Sequence, residues 1–448
     1  MKRKQLFFAQ YPEYKNSMLD SLRKTQFRRW RRRVYADWVG GAQYADSLVK
    51  KHTKFLTENR LGNPHSDNES SAFSTKETDA ARLRILKFLN ADPNEYDVVF
   101  TKNATEGILI TRHYNFQGGE LLLTADNHNS VNGVREIAKR DGGLVRYSPL
   151  MDDLTLNLVD IENSLKHPHT TGNKLFIYPA KSNSSGNIHP LHLVQMAQDY
   201  GWDVMLDTAA FLANNRIDLS VVKPDFMPIS FYKIFGYPTG IGCVIVKKSK
   251  YEKLPKRWFA GGSILIVSIM KDFFMHETKG YAKFEDGTIN FAGIPAICNG
   301  LDFIDSLGDY KPRVVAITSW LHKELSSIKG IELYSPEGND TIIFNIKKNS
   351  VLLNAWDFEK AARDFGIDVR TGCYCNPGVN EKLFGYDINM YEQFIYNSSN
   401  PADMTIERLM QYADGKPVGS IRMSFGYMNN FSDVERIALF VKKFVKNL

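Results

Sequence analysis

From about residue 97 the chain alternates short apolar runs with longer stretches of helical spacing. Residues 97–101, 120–124, 174–178, 203–207, 226–230 and 242–246 are dominated by Val, Ile, Leu, Met and Phe. A strand exposed on one face alternates apolar with polar residues, whereas a strand covered on both faces reads as a near-continuous apolar run. Stretches such as Leu191–Tyr200 between these runs have helical spacing. The pattern predicts an α/β fold: a mostly parallel central sheet with helices on both faces. Asn103, Thr105, His128, Asn183, Asp207 and Lys233 fall at or just beyond the C-terminal ends of these strands. In open α/β sheets that edge is where ligands bind.

After about residue 300 the texture changes. A helix over 314–328 precedes a strand over 341–346, and a helix over 355–365 leads into a strand over 367–370. A strand over 420–424 and a helix from about Ser432 close the chain. These elements predict a smaller α+β C-terminal domain. The expected division is a basic N-terminal segment, 1–33, a large domain, 34–300, whose first part contributes to the small domain, and the small domain itself, 301–448.

The 448 residues allow two or three structural units at roughly 150 residues each. With 43% hydrophobic and 24% charged residues, the composition excludes a mostly disordered chain, a collagen-like chain and a bundle of membrane spans. No apolar run reaches the roughly eighteen residues of a spanning helix, and no membrane association is expected. The N-terminus offers only Leu6, Phe7, Phe8 and Ala9 as an apolar run, so no secretory leader is expected. The cysteines are Cys243, Cys298, Cys373 and Cys375, too few for a disulfide framework. A reducing cytoplasm is the expected compartment.

The net charge of +7 is concentrated at one end: residues 1–35 hold eleven Lys/Arg against two acids. The run Arg28–Arg33 can steer an anionic partner, but it reads first as a solvated face of an N-terminal helix. No zinc-finger, basic-zipper or RNA-binding motif accompanies it, so nucleic acid is not an expected partner.

Four segments carry chemistry. Lys233 follows an apolar strand and precedes the Gly/Pro-rich stretch Gly236–Gly242. A lysine there can form a Schiff base, its pKa lowered by desolvation. Asp207, ending a neighbouring strand, can keep a pyridine nitrogen protonated, which makes the ring an electron sink. The segment Thr101–Gly107 joins a strand to a helix, where N–H groups and the Thr105 hydroxyl suit an anion. It contains no Walker A sequence. His128 can stack on an aromatic cofactor and shuttle protons. Arg370-Thr-Gly-Cys-Tyr-Cys-Asn-Pro-Gly378 sets two cysteines beside an arginine in a Gly/Pro loop, conditions that favour thiolate. Cysteine and histidine partners at zinc spacing are missing, so no metal is expected. Taken singly, each segment has a plainer role: a helix cap, a solvated lysine, a structural histidine. Their combination favours a cofactor site.

Together these segments resemble the class V aminotransferase group of pyridoxal-phosphate enzymes, and more narrowly the cysteine desulfurase domain of molybdenum cofactor sulfurases. The resemblance runs from about residue 34 onward. It rests on Gly62-Asn-Pro-His-Ser66, Asn103-Ala-Thr-Glu106, His128-Asn-Ser-Val131, Ser182-Asn-Ser-Ser-Gly186, Leu206-Asp-Thr-Ala-Ala210, Ser230-Phe-Tyr-Lys-Ile-Phe-Gly-Tyr-Pro-Thr-Gly240, Asp286-Gly-Thr288, Val369–Gly378 and Ile421-Arg-Met-Ser-Phe-Gly-Tyr427. It implies a fold type I transferase with pyridoxal 5'-phosphate bound covalently to Lys233. Asp207 would pair with the ring nitrogen, His128 stack on the ring and Asn183 lie near its 3-hydroxyl. Thr105 and Ser230 would hold the phosphate, with Thr288 reaching it from the second subunit of a homodimer. Arg422 would grip the substrate carboxylate, with Arg370 nearby, and Cys375 would accept sulfur, with Cys373 its neighbour.

The implied activity is a cysteine desulfurase moving sulfur from L-cysteine, or a related amino acid, to an enzyme persulfide and releasing alanine. A carbon–sulfur lyase, an epimerase or another enzyme of the group acting on an amino acid is the alternative, and a loop nucleophile at Cys375 discriminates against it. Ala210 and Tyr232 stand where ordinary cysteine desulfurases carry Gln and His, a departure shared with the sulfurase subgroup. Asn380 stands where the family has a further cysteine. The sequence ends before the C-terminal domain of the long sulfurases, which leaves the final sulfur acceptor, protein or small molecule, open.

Overall fold

The computed structural model describes residues 2–15, 17–349, 351–386, 388–397, 416 and 419–448. Its centre is a seven-stranded sheet built from β1 (Tyr96–Thr101), β2 (Glu120–Thr124), β3 (Leu144–Ser148), β4 (Lys174–Pro179), β5 (Asp203–Asp207), β6 (Phe226–Ser230) and β7 (Gly242–Lys247). The strand order is β1-β7-β6-β5-β4-β2-β3. From β6 to β3 every neighbouring pair is parallel, and β7 runs antiparallel to both β6 and β1.

Side-chain alternation explains why these strands read as unbroken apolar runs. Leu122, Phe176, Tyr178, Val204 and Leu206 pack into one apolar cluster, while Leu121, Leu123, Leu175, Ile177 and Met205 pack into the other. Successive residues thus point into two different apolar cores. Burying a side chain of this size contributes about 1.5–3 kcal/mol. The edge strand β3 departs from the pattern, with Leu144 exposed and Arg146 half-buried.

Beyond the sheet, β8 (Ile264–Ser268) and β9 (Phe273–His276) form an antiparallel hairpin. Its strands and turn expose Leu265, Ile266, Phe273, Ile269 and Met270, the last two almost completely. A second sheet contains β10 (Ile331–Leu333), β11 (Thr341–Lys348), β12 (Arg370–Gly372) and β13 (Ser420–Ser424), in the order β10-β11-β13-β12. The single strand expected over 367–370 is two: Ile367–Asp368 pairs instead with Val34–Tyr35. Helices Lys311–Ser326 and Phe431–Lys446 pack together beside this sheet.

The N-terminal segment is built into the same core. Phe7 stacks on Phe431 at 4.4 Å and meets Trp320 edge-on at 6.3 Å. Arg313 lies 4.0 Å over the Tyr14 ring and pairs with Asp20 at 2.6 Å. The basic run is solvated as expected, with Arg28, Arg29, Arg31 and Arg32 exposed, but it is not the face of a helix. Helix Ser17–Gln26 stops before it, and Arg28–Trp30 makes a single 3-10 turn. Burial of Phe27 and pairing of Val34 with Ile367 bend the chain there. Arg29 lies 4.1 Å over Tyr44 and pairs with Asp46, and Arg33 pairs with Asp368. Among the described residues no helix is long and apolar enough to cross a membrane, and no three His, Cys, Asp or Glu side chains cluster as a metal site.

Candidate active site

The C-terminal ends of β4, β5 and β6 open into a cavity of about 160 Å³. Thr105, His128, Asn183, Asp207, Ser230 and Lys233 all line it, alongside Ser130, Lys181 and Tyr232. The six sequence-predicted residues come from segments spread between residues 105 and 233, brought together by the parallel order of the strands.

Local geometry fixes each group. Lys233 sits on the short helix Tyr232–Phe235, which Gly236 ends in the left-handed conformation, φ 81°. A Cβ at Gly236 would come within 2.5 Å of the Tyr44 backbone nitrogen, so the turn requires glycine twice over. Burial pushes the Lys233 ammonium below its ordinary pKa, opposed by Asp207 and reinforced by Arg422 and Arg370. Asp207 is buried and accepts the Ala209 N–H at 2.9 Å, so it caps its turn while facing the lysine. His128 N-caps a helical turn, its Nδ1 accepting the Ser130 N–H at 3.1 Å. The neutral ring therefore carries its proton on Nε2. Burial, then the Lys233 charge, lower the His128 pKa against the pull of Asp207. The Ser130 hydroxyl lies 2.8 Å from both His128 Nδ1 and the Thr105 hydroxyl. Ser230 accepts the Ala104 N–H at 2.8 Å, tying the end of β6 to the Thr105 segment.

The cysteine loop is tied to this cavity from above. The carbonyl of Cys375 accepts the Asn129 N–H at 2.6 Å, one residue from His128. Asn376 donates to Asp126 at 2.6 Å and to Asn183 at 3.0 Å, and Asn183 donates to the Tyr374 carbonyl at 2.7 Å. Buried Asp126 also accepts from Ser182 at 2.8 Å and lies 2.7 Å from His189. Sequence reasoning missed this network, and also Lys181, which pairs with buried Asp340.

Two features shape the loop. The segment is not extended: Tyr374 and Cys375 both have positive φ, 56° and 57°. Nor is Asn376-Pro-Gly378 a free turn, since Pro377 opens the helix Pro377–Phe384. Gly378 packs so tightly that a Cβ there would lie 2.2 Å from the Ala125 carbonyl oxygen. The twist separates the cysteines. Cys375 is within electrostatic reach of Arg370, whereas Cys373 acts on Tyr374, Tyr386 and Tyr391. Both thiols are exposed.

Arg422 is buried, lies 4.6 Å over the Tyr374 ring and donates to the Asn183 carbonyl. It and Arg370 both engage Asp37, a residue sequence reasoning did not single out. Thr288 is exposed and does not line the lysine cavity. It borders a larger one of about 640 Å³, which shares Asn103 with the first.

These residues fit pyridoxal 5'-phosphate. Among the described residues no hydrogen bond ties the half-buried Lys233 amine, leaving it open to covalent attachment beside a carboxylate. Hydroxyls of Thr105, Ser130 and Ser230 gather at one side, and Lys181 lines the same cavity.

The tomato (Solanum lycopersicum) molybdenum cofactor sulfurase is 31% identical to this chain, across 97% of the chain and 58% of that protein. The human protein of the same name is 30% identical, across 96% and 51%. The chain thus spans between half and three fifths of the length of these relatives. Among solved structures, the apo cysteine desulfurase of Thermococcus onnurineus NA1 superposes with a TM-score of 0.78 at 21% identity, covering 96% of this chain and 98% of that one. A cysteine desulfurase of Escherichia coli gives 0.77 at 20% identity, covering 96% and 99%. At such identities the likeness establishes the fold, that of type I pyridoxal-phosphate enzymes. Residues 34–437 match the family Aminotransferase class-V, and the chain belongs to that family.

Proposed function

We propose that the chain is a pyridoxal-phosphate-dependent cysteine desulfurase of the molybdenum cofactor sulfurase type. The observation that carries this reading is the bond between the Cys375 carbonyl and the Asn129 N–H, which ties an exposed thiol to the lysine cavity.

Lys233 would hold the cofactor covalently, Asp207 would keep its ring nitrogen protonated, and Thr105, Ser130 and Ser230 would receive its phosphate. Pyridoxal phosphate, when bound, stores the electron pair left when a substrate α-proton is removed. The Lys233 Nζ would take that proton, and burial, which lowers its pKa, favours the uncharged amine that this requires. His128, its pKa also lowered, presents a neutral ring with a donor at Nε2. Arg422 pairs with the substrate carboxylate and fixes its pose. The Cys375 thiolate attacks the sulfur of L-cysteine. An S–S bond forms, the C–S bond breaks, and its electron pair stays on the substrate Cβ, which takes up a proton; return of the α-proton to Cα gives alanine. The persulfide sulfur then passes to an acceptor.

The reading extends to a homodimer in which Thr288 serves the phosphate of the second subunit. Its position outside the cavity of its own chain and the exposed apolar hairpin at Ile269 and Met270 support this. Sedimentation should give twice the chain mass, and a fully active monomer would contradict it. Low cysteine usage supports a reducing, cytoplasmic setting.

The test of the activity is direct. The purified protein loaded with pyridoxal phosphate, given L-cysteine and a thiol reductant, should form alanine and sulfide in equal amounts. Pyruvate and ammonia in place of alanine would favour a lyase.

A further inference from the structure

Arg370 on β12 and Arg422 on β13 stand directly opposite each other in an antiparallel register. Like charges at such a pair repel. Asp37 sits between them. Its Oδ1 accepts Arg422 Nη2 at 2.7 Å, and its Oδ2 accepts Arg370 Nε at 2.9 Å and Nη2 at 2.8 Å. The backbone holds Asp37 there through a parallel bridge to Ser424, two residues from Arg422. Gly40 leaves the room: a Cβ at that glycine would come 2.4 Å from Asp37 Oδ2.

The neighbouring charges are already engaged: Lys181 pairs with Asp340, and Asp207 serves the cofactor ring nitrogen in the reading above. Two guanidinium groups against one carboxylate leave the Asp37 trio with a single positive charge. A substrate with one carboxylate neutralises it. A second carboxylate finds no free guanidinium and meets the Asp37 charge instead, a built-in repulsion of the kind that sets specificity.

We infer that Asp37 is a specificity-determining residue: by occupying Arg370 and Arg422 together, it restricts the site to amino acids with one carboxylate and an uncharged side chain, and rejects dicarboxylic amino acids. The inference rests on the reading of Arg422 as the substrate-carboxylate partner.

The test uses L-alanine and L-aspartate, each titrated into the cofactor-loaded protein and followed by the visible absorbance of the bound cofactor. Asp37→Asn frees Arg370, and the ratio of the aspartate Kd to the alanine Kd should fall at least tenfold. Adding Arg370→Gln should return the ratio to its original value. Should Asp37→Asn fail to fold, Arg370→Gln alone decides: it leaves Asp37 to neutralise Arg422, and the alanine Kd should rise at least tenfold. An unchanged ratio in Asp37→Asn, or an unchanged alanine Kd in Arg370→Gln, overturns the inference. Failure of the parent protein to bind either amino acid overturns the reading of Arg422 and the inference with it. Alanine binding with the expected ratios, but no desulfuration of L-cysteine, would instead sink the desulfurase reading alone.

Discussion

Asn129 donates its backbone N–H to the carbonyl of Cys375 at 2.6 Å, joining residues 246 positions apart in the chain. The bond links the turn that carries His128 to the loop that carries the exposed thiol. The loop is further held by Tyr374, whose hydroxyl bonds to Ser420, and by Asn376, which bonds to Asp126 and Asn183. Elements of two different sheets thereby position one nucleophile relative to one lysine.

Asn376→Ala should therefore uncouple the thiol from the cavity. It removes two buried hydrogen bonds and leaves Asp126 with fewer donors, at a cost of about 1–3 kcal/mol in stability. The cofactor absorbance should be retained while alanine formation falls at least about tenfold. Denaturant unfolding, absorbance and turnover measured on the same preparation check this.

Lys233→Ala should abolish both the covalent attachment of pyridoxal phosphate and turnover. The expected loss in alanine formation is about 100-fold or more, the scale of a positioned proton carrier. The readout is the visible band, which should disappear and not return on adding cofactor. A persisting band would mean that another amine holds it.

His113 gives a pH prediction away from the chemistry. Burial, then the charges of Arg112 and Lys256, push its pKa down to about 4 from an ordinary 6.5. The unfolded chain binds a proton that the folded one refuses, so stability is full above pH 6.5 and is lost as pH falls toward 4. By pH 5 the loss amounts to about 2 kcal/mol. Urea unfolding at pH 7.5 and 5 should show it, and His113→Gln should flatten the dependence.

What the sequence made legible was the material of the central sheet. Leu121 to Leu123 and Val204 to Leu206 are buried on both faces, and that leaves an unbroken apolar signature. The edge strand β3 escaped notice because exposed Leu144 and Tyr147 and half-buried Arg146 carry no such signal. Lys233, Asp207 and Cys375 stood out through their motifs. Asp37 did not, because its partners Arg370 and Arg422 lie 333 and 385 residues away and no local pattern marks an acid that two distant arginines will share. In the N-terminal segment the density of Arg and Lys masked the burial of Phe7, Tyr14, Leu19 and Phe27, two of which reach Arg313, Trp320 and Phe431 in the helices Lys311–Ser326 and Phe431–Lys446.

The most direct test of the central claim is where sulfur resides after reaction with L-cysteine. The cofactor-loaded protein, incubated with L-cysteine without reductant, alkylated and digested, should carry one extra sulfur atom on Cys375, with one alanine released per modified chain. Cys375→Ala should keep the cofactor band and form almost no alanine, whereas Cys373→Ala should retain most of the activity. Alanine or sulfide released by Cys375→Ala at the parent rate would contradict the account and leave an eliminase acting without a cysteine relay.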